Sequence, residues 1–464
     1  MDALSLGQLA QFADGSLAAG NADSIITRVS TDSRTLQAGD LFIPLRGENF
    51  DGHKFVQQAA ERGATGAMVE ENWKGATPPG FALIRVADTL IGYQTLAANY
   101  RQSLSLKVIA ITGSNGKTST KDFVAATLGR KFRVTKTEGN FNNHVGLPQT
   151  MLGASREDEI GVWEIGMNHP GEIAALAKLA SPNVAIVTNV GLAHIEFMGS
   201  REAIATEKGA LAEAVGAGGT VILNADDPFS EQIAGRTRAR VIFAGIEKGF
   251  VHATDLSQSP SGSEFTILEE AHRCRAQLPV PGVHMVQNAL LAIATGRAFG
   301  LSLEECAVGL ASTPLTKARL QIREINGIRF IDDSYNANPD SMKAALRTLI
   351  ELEADGRRIA VLGEMGELGQ ESERGHREVG EAAAKFAVDE LIAVGATAPM
   401  MASAARTAGL EKSIAVDSPQ AAADLLSDSA APGDLILVKG SRLARMEQVL
   451  EAFANHPANA GVTP

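Results

Sequence analysis

The chain has 464 residues, of which 45% are hydrophobic and 21% charged, a globular composition that excludes disordered, collagenous and low-complexity architectures. At about 150 residues per domain, this length predicts about three domains. Lys plus Arg (42) against Asp plus Glu (54) gives a net charge of −12, which argues against a general nucleic-acid binder but leaves room for a cationic cleft around an anionic substrate.

The opening segment MDALSLGQLAQFADG has no basic stretch and no long apolar core, so no secretory signal is expected. Strands are predicted at LFIPL (41–45) and AMVE (67–70), and helices over Lys54–Gly63 and Leu90–Gln102. The character changes at KVIAIT (107–112), an apolar run followed at once by a glycine-rich turn and a helical pattern. Further apolar strands, VAIVT (184–188), TVILN (220–224) and VIFA (241–244), alternate with helical stretches, which predicts a mostly parallel sheet. Residues 250–280 read as short antiparallel strands, and Met285–Phe299 as a helix. The two cysteines, Cys274 and Cys306, make neither a disulfide framework nor a zinc site, and a reducing cytoplasmic setting is expected.

From Thr316 a third region begins. IRFIDD (328–333), RIAVLG (358–363), ELIAVG (390–395), SIAV (413–416) and DLILVKG (434–440) are strands at near-regular spacing. Ser418-Pro419 reads as the cap and first turn of one intervening helix. The expected fold class is therefore α/β, ending in a doubly wound, Rossmann-like domain that lacks the GxGxxG signature. No apolar run reaches about 18 residues, so no membrane span is expected.

The densest chemical signal is ITGSNGKTST (111–120). A strand ends, glycines let backbone N–H groups turn inward, and a helix N-terminus adds its positive end: the parts of a phosphate cradle. Gly113, Asn115, Gly116, Lys117, Thr118 and Ser119 would line it, with Lys117 on phosphate and the Thr118 hydroxyl on Mg²⁺. The loop is shorter than the full Walker spacing, because Ile111 stands where that spacing has glycine. Glu164 ends one apolar run and His194 follows another, both where ligands gather in open α/β sheets; each reads equally as a paired or hydrogen-bonded structural residue. On helical pattern alone Lys208 reads as a solvated lysine. In DDSYNANPDSM (332–342), Asp333 suits ribose hydroxyls and Asp340 is expected to cap the next helix. Arg319 precedes the third region and suits a phosphate across a cleft.

Taken in order, STDSR (30–34), GDLFIPLRGENFDGH (39–53), TGSNGKTST (112–120), EGNFNNHVGLP (138–148), EIGMNHPGEI (164–173), TNVGLAHIE (188–196), DDSYNANPDS (332–341), LGEMGELG (362–369) and VKGSRLARME (438–447) resemble the Mur ligase family of ATP-dependent amide-forming enzymes. The resemblance covers nearly the whole chain. It implies a small α/β uridine-binding domain over 1–104, a central phosphate-loop ATP domain over 105–315 and a Rossmann-like ligase domain over 316–464. It implies ATP with Mg²⁺, in two ions, held by Thr118, Glu164 and His194, with Asn288 near adenine, Arg319 on phosphate and Asp333 on ribose. Catalytic roles fall to Lys117, His194 and Lys208, the last matching a lysine that becomes a carbamate in relatives.

The same resemblance gives substrate contacts to Ser33, Arg34, His53, Asn140, Asn143, Tyr335, Asn338, Lys439, Ser441 and Arg442. It implies UDP-MurNAc-tripeptide and D-Ala-D-Ala as substrates, and a monomer. Ligation of a single amino acid, or of glutamate to a folate, is the alternative within the family. A nucleotide-gated binding module without catalysis is the alternative outside it.

Overall fold

A computed structural model describes residues 1–456. Its contacts divide the chain into two compact units: residues 1–110, 132–166 and 172–184 form the first, and 111–131, 167–171 and 185 onward the second. This differs from a cut at 104/105 and 315/316. Strand Lys107–Thr112 gives its first four residues to one unit and its last two to the other. Among the described residues no helix is long and apolar enough to cross a membrane.

The first unit holds a five-stranded sheet in the order Ser16–Ala19, Ala82–Val86, Gly66–Glu70, Leu41–Phe42, Val29–Ser30. All neighbours are parallel except the first pair. Phe42, Val56, Ala59, Val69 and Leu83 fill one face. The strand expected over 41–45 is only Leu41–Phe42, because Pro44 lacks the N–H a ladder needs. The helix expected from Lys54 is a 3₁₀ turn, Gly52–Phe55, followed by Val56–Glu61, and it stops before Gly63 in a left-handed conformation (φ 84°). The later helix is Thr89–Ser103, capped by the Asp88 carboxylate on the Ile91 N–H. Strands Val134–Lys136 and Ile160–Glu164 pair in parallel.

In the second unit the sheet runs from the end of Lys107–Thr112 through Val184–Val187, Thr220–Asn224 and Arg240–Ala244. It continues into the meander Val251–Ser259, Gly262–Glu269 and His272–Leu278, antiparallel as the sequence predicts. Helix Val283–Ala298 follows Gly282. The C-terminal segment builds a six-stranded sheet in the order Gln321–Ile325, Ile328–Asp333, Leu435–Lys439, Arg358–Gly363, Glu390–Val394, Ser413–Val416. Only its first pair is antiparallel, joined by Asn326-Gly327, both at positive φ, as a tight hairpin requires. The last strand in sequence inserts between Ile328–Asp333 and Arg358–Gly363, so Asp333, Gly363 and Lys439 end side by side at the carboxyl edge. Such an edge is where doubly wound sheets bind ligands.

One sequence expectation fails here. Helix Pro339–Glu351 is capped by Asn338, not Asp340: the Asn338 side chain accepts from Ser341 N–H, and Pro339 takes the first turn. The reason is spacing, since Asp340 already lies inside the helix that Pro339 starts.

The C-terminal core centres on Phe330, fully buried against Phe453 with ring centroids 5.0 Å apart. Phe330→Ala should cost about 3–5 kcal/mol. Denaturant unfolding followed by circular dichroism checks this; a loss below about 1 kcal/mol would mean the ring is not central to the core.

Candidate active site

The loop between strand Lys107–Thr112 and helix Lys117–Leu128 carries both of its glycines at positive φ. Gly113 sits at φ 154°, and a Cβ there would collide with the Thr188 hydroxyl. Gly116, at φ 80°, is the N-cap; a Cβ there would lie 2.5 Å from the Asn288 carboxamide oxygen. No side chain caps this helix, which leaves its positive end for an anion.

A second loop braces the first. Asn115 N–H donates to Asn189 Oδ1 (2.9 Å), and the Asn115 carbonyl accepts from Thr188 Oγ1 (2.5 Å) and Asn189 Nδ2 (3.0 Å). Ser114 Oγ accepts from Gly191 N–H (2.8 Å). Lys117 Nζ donates to the Gly113 carbonyl (2.8 Å). Thr118 and Ser119 are buried at the first turn. The bracing loop is itself tied down: Asp227 accepts from Val190 N–H (2.7 Å) and Arg201 Nε donates to Val190 O (2.8 Å). Burial raises the Asp227 carboxyl above its ordinary value, partly offset by the backbone donors Val190 and Phe229.

The C-terminal segment reaches the same loops. Asn338 Nδ2 donates to Asn115 Oδ1 (2.7 Å) and Asp340 Oδ2 accepts from Leu192 N–H (3.0 Å). Gly191 is needed beneath Asp340, where a Cβ would come within 2.5 Å of the carboxylate. Arg319 lies over the Tyr335 ring, 3.9 Å from its centroid, with Nη2 3.4 Å from Thr118 Oγ1. Its neighbours Ala318 and Leu320 are both left-handed, at φ 58° and 52°. Such strain in non-glycine residues persists where contacts over-determine the backbone.

At the carboxyl edge, Lys439 Nζ lies 2.5 Å from Asp333 Oδ2 and donates to Asn336 O (2.9 Å), with the lysine only 3% exposed. Burial lowers the Lys439 pKa, against the opposing pull of Asp333. His284 is held down to about 4, mainly by burial, with Asp333 opposing and the Lys439 charge adding. Ser441 is buried and its N–H donates to Glu364 O (2.8 Å), whereas Arg442 is exposed on Glu447 (3.1 Å).

Lys208 corrects the reading of a solvated lysine: it is 1% exposed within helix Arg201–Glu213. Burial pushes its ammonium well below the ordinary lysine value; the charge of Lys117 adds to this and Glu207 opposes it. Sequence pattern missed this because the helix is covered on the face that carries Lys208. His194 takes a left-handed conformation (φ 63°) at the start of Ile195–Met198, with Nδ1 2.6 Å from Glu367 Oε2.

Other expected residues belong to the first unit. Glu164 is buried, accepts from Asn142 Nδ2 (2.7 Å), and its N–H donates to Thr137 Oγ1 (2.9 Å). His53 is buried, with Nδ1 2.8 Å from Asp51 and Nε2 accepting from Glu70 N–H (3.2 Å). Arg34 is exposed and grips Asp32 through Nε and Nη2, which holds that carboxyl down to about 2. Ser33 is half-buried beside it. Asn140 is exposed, and Asn143 Oδ1 accepts from the N–H groups of Val145 and Gly146 at the start of Gly146–Gly153. Sequence reasoning did not single out Asn142, Asn189, His284 or Glu367; the asparagines and Glu367 stand within strings it did quote.

Among the described residues no cluster of three or more His, Cys, Asp and Glu side chains is placed to hold a metal alone. Mg²⁺ carried on a nucleotide keeps phosphate oxygens and waters and needs few protein ligands. The glycine cradle, the uncapped helix and the buried Thr118 hydroxyl suit phosphate with such an ion.

Comparison with known proteins gives three family matches: Mur ligase family, catalytic domain, over residues 25–88; Mur ligase middle domain over 111–296; and Mur ligase, glutamate ligase domain, over 318–442. The UDP-N-acetylmuramoyl-tripeptide–D-alanyl-D-alanine ligase of Bacillus subtilis is 39% identical, over 94% of both chains. A crystal structure of MurF from Acinetobacter baumannii superposes with a TM-score of 0.90 at 33% identity, covering 98% of this chain and 99% of that one. The MurF ligase of Thermotoga maritima, solved in complex with ADP, superposes with a TM-score of 0.81 at 29% identity, covering 92% and 97%.

Gly116→Ala should lower ADP affinity by at least about tenfold, because a Cβ strains the left-handed cap and displaces Asn288. Calorimetric titration checks this, and unchanged affinity would detach the loop from nucleotide binding.

Proposed function

The chain belongs to the Mur ligase family, and from that premise we propose that it joins D-alanyl-D-alanine to UDP-N-acetylmuramoyl-tripeptide at the expense of ATP, making a peptidoglycan precursor. The observation that carries the reading is the glycine phosphate loop, which Arg319 and Asn338 of the C-terminal segment contact directly while Asp340 holds Leu192 of the loop that braces it. The near full-length match to relatives of that name favours it over ligation of a single amino acid. The proposed division of labour is 1–104 for uridine, 105–315 for ATP and 316–464 for ligation, in a cytoplasmic monomer.

In this reading the tripeptide carboxylate attacks the γ-phosphorus of ATP, and ADP leaves. The amine of D-Ala-D-Ala then attacks the acyl carbon of the resulting acyl phosphate, a tetrahedral intermediate collapses, phosphate leaves and the nitrogen loses its proton. Lys117 and the helix N-terminus stabilise charge on the phosphoryl group in transit. Thr118, Glu164 and His194 are the residues to hold Mg²⁺, which supplies charge neutralisation on the phosphates when bound. Asp333, oriented by buried Lys439, is suited to ribose hydroxyls. Asn288 stands against Gly116 and is proposed for the adenine end of the nucleotide. Ser33, Arg34 and His53 are proposed for the uridine end, and Asn140, Asn143, Tyr335, Ser441 and Arg442 for the peptide substrates.

Lys208 suits carbamate formation. An amine whose pKa burial has lowered gives up its proton more readily than an ordinary lysine; its free nitrogen attacks CO₂, an N–C bond forms and a proton leaves. The anionic product would support a second Mg²⁺, where an ammonium would repel it. Lys208→Ala should be nearly inactive and partly rescued by formate or acetate. A bare amine in the mass of the native protein, with no rescue, would overturn the assignment.

The reaction itself is tested by phosphate release. Turnover should require ATP with Mg²⁺, the UDP-linked tripeptide and D-Ala-D-Ala together. Equal rates with single amino acids would favour the other ligases of the family, and full ATPase activity without peptide would favour a nucleotide-gated module.

A further inference from the structure

The loop after strand Arg358–Gly363 is fixed along its length. Met365 N–H donates to His376 Nε2 (3.0 Å), whose Nδ1 donates to Ser372 O (2.7 Å). Glu364 Oε1 accepts from Thr397 N–H (3.0 Å), and Glu364 O accepts from Ser441 N–H (2.8 Å). Met365 and Leu368 are buried. This anchoring delivers Glu367, itself left-handed at φ 59°, to the turn that carries His194. The Glu367 carbonyl accepts from Glu196 N–H (3.3 Å), Gly369 packs on the Glu196 side chain, and the Glu367 carboxylate stands 2.6 Å from His194 Nδ1, an ion-pair contact with the ring N–H out of hydrogen-bond line. The contact holds the Glu367 carboxyl below its ordinary value, with the charges of His169 and Lys117 adding to the effect and burial opposing it.

We propose that Glu367 is a positioning residue for His194, taking the Nδ1 side of the imidazole so that Nε2 is the nitrogen left for the metal. This inference rests on the reading of His194 as a Mg²⁺ ligand. Histidines that bind metals commonly place their other nitrogen on a carboxylate, which fixes the tautomer and ring orientation. Here the carboxylate comes from the C-terminal segment and the histidine from the segment of the phosphate loop. His194 is therefore set for metal only while the two segments are docked. The other carboxylate of the loop, Glu364, is already engaged by Thr397 and is no substitute.

The test uses the full chain with Glu367→Ala and the near-isosteric Glu367→Gln, both checked for native circular dichroism. Glu367→Ala should raise the Mg²⁺ concentration for half-maximal phosphate release by about 10–100-fold, with KM for D-Ala-D-Ala unchanged and Glu367→Gln intermediate. Without divalent ion, ¹⁵N spectra of the His194 ring should show the Nδ1–H tautomer in the parent and a tautomer mixture in Glu367→Ala. Parental Mg²⁺ titrations and ring signals in both variants would overturn the proposal. A His194→Ala variant separates the two readings. If it loses Mg²⁺ dependence while the Glu367 variants do not, positioning alone fails. If its own Mg²⁺ titration is unchanged, the metal role of His194 fails, and with it this inference.

Discussion

A phosphate loop works only while the N–H groups at its helix end stay free for an anion, and that shape is not stable by itself. It requires left-handed or extended backbone at Gly113 and Gly116, and the Ser114 and Asn115 groups between them need partners elsewhere: Ser114 N–H donates to Asn189 O (3.0 Å). The Asn115 carbonyl finds its donors on Thr188 and Asn189, and the Asn115 N–H finds an acceptor on the same asparagine. Those residues are fixed in turn through Asn224, Asp227 and Arg201. The cradle is thus the end of a polar network running back into the second unit's sheet. A buried network of this kind rigidifies a site only if every member is satisfied.

The C-terminal segment completes that network. Asn338 serves twice, capping helix Pro339–Glu351 and donating to Asn115 of the loop. Asp340, free of the capping role, takes the Leu192 N–H. Arg319 is delivered to Thr118 by a backbone bent at Ala318 and Leu320, and the face of Tyr335 supports its guanidinium. The Lys439–Asp333 pair follows the same logic: a lone buried ammonium is costly, so its carboxylate partner is held in one place at the edge where strands end.

The strand–loop–helix order was legible because glycine spacing and an apolar run are local signals. So were the C-terminal strands, whose apolar runs stand between helices at regular intervals. Boundaries were less so: Pro44 cut one strand short, and Pro339 moved a cap from Asp340 to Asn338. The helix pattern alone puts Lys208 in solvent, because such a pattern does not say what covers each face. Glu367 and His194 meet only through the docking of segments far apart in sequence, which no local pattern encodes. Sequence resemblance supplied roles for Asp333 and Lys439, but not the fact that each holds the other.

The central claim is that both segments hold the phosphate loop in shape, and the Asn115–Asn338 hydrogen bond is its most direct expression. A double-mutant cycle of Asn115→Ala and Asn338→Ala, read as ADP affinity by calorimetry, measures that coupling. The account predicts a coupling of about 0.5–3 kcal/mol, the double variant losing less than the sum of the singles. Strict additivity, within about 0.5 kcal/mol, would mean the loop keeps its shape without the C-terminal segment, and would contradict it.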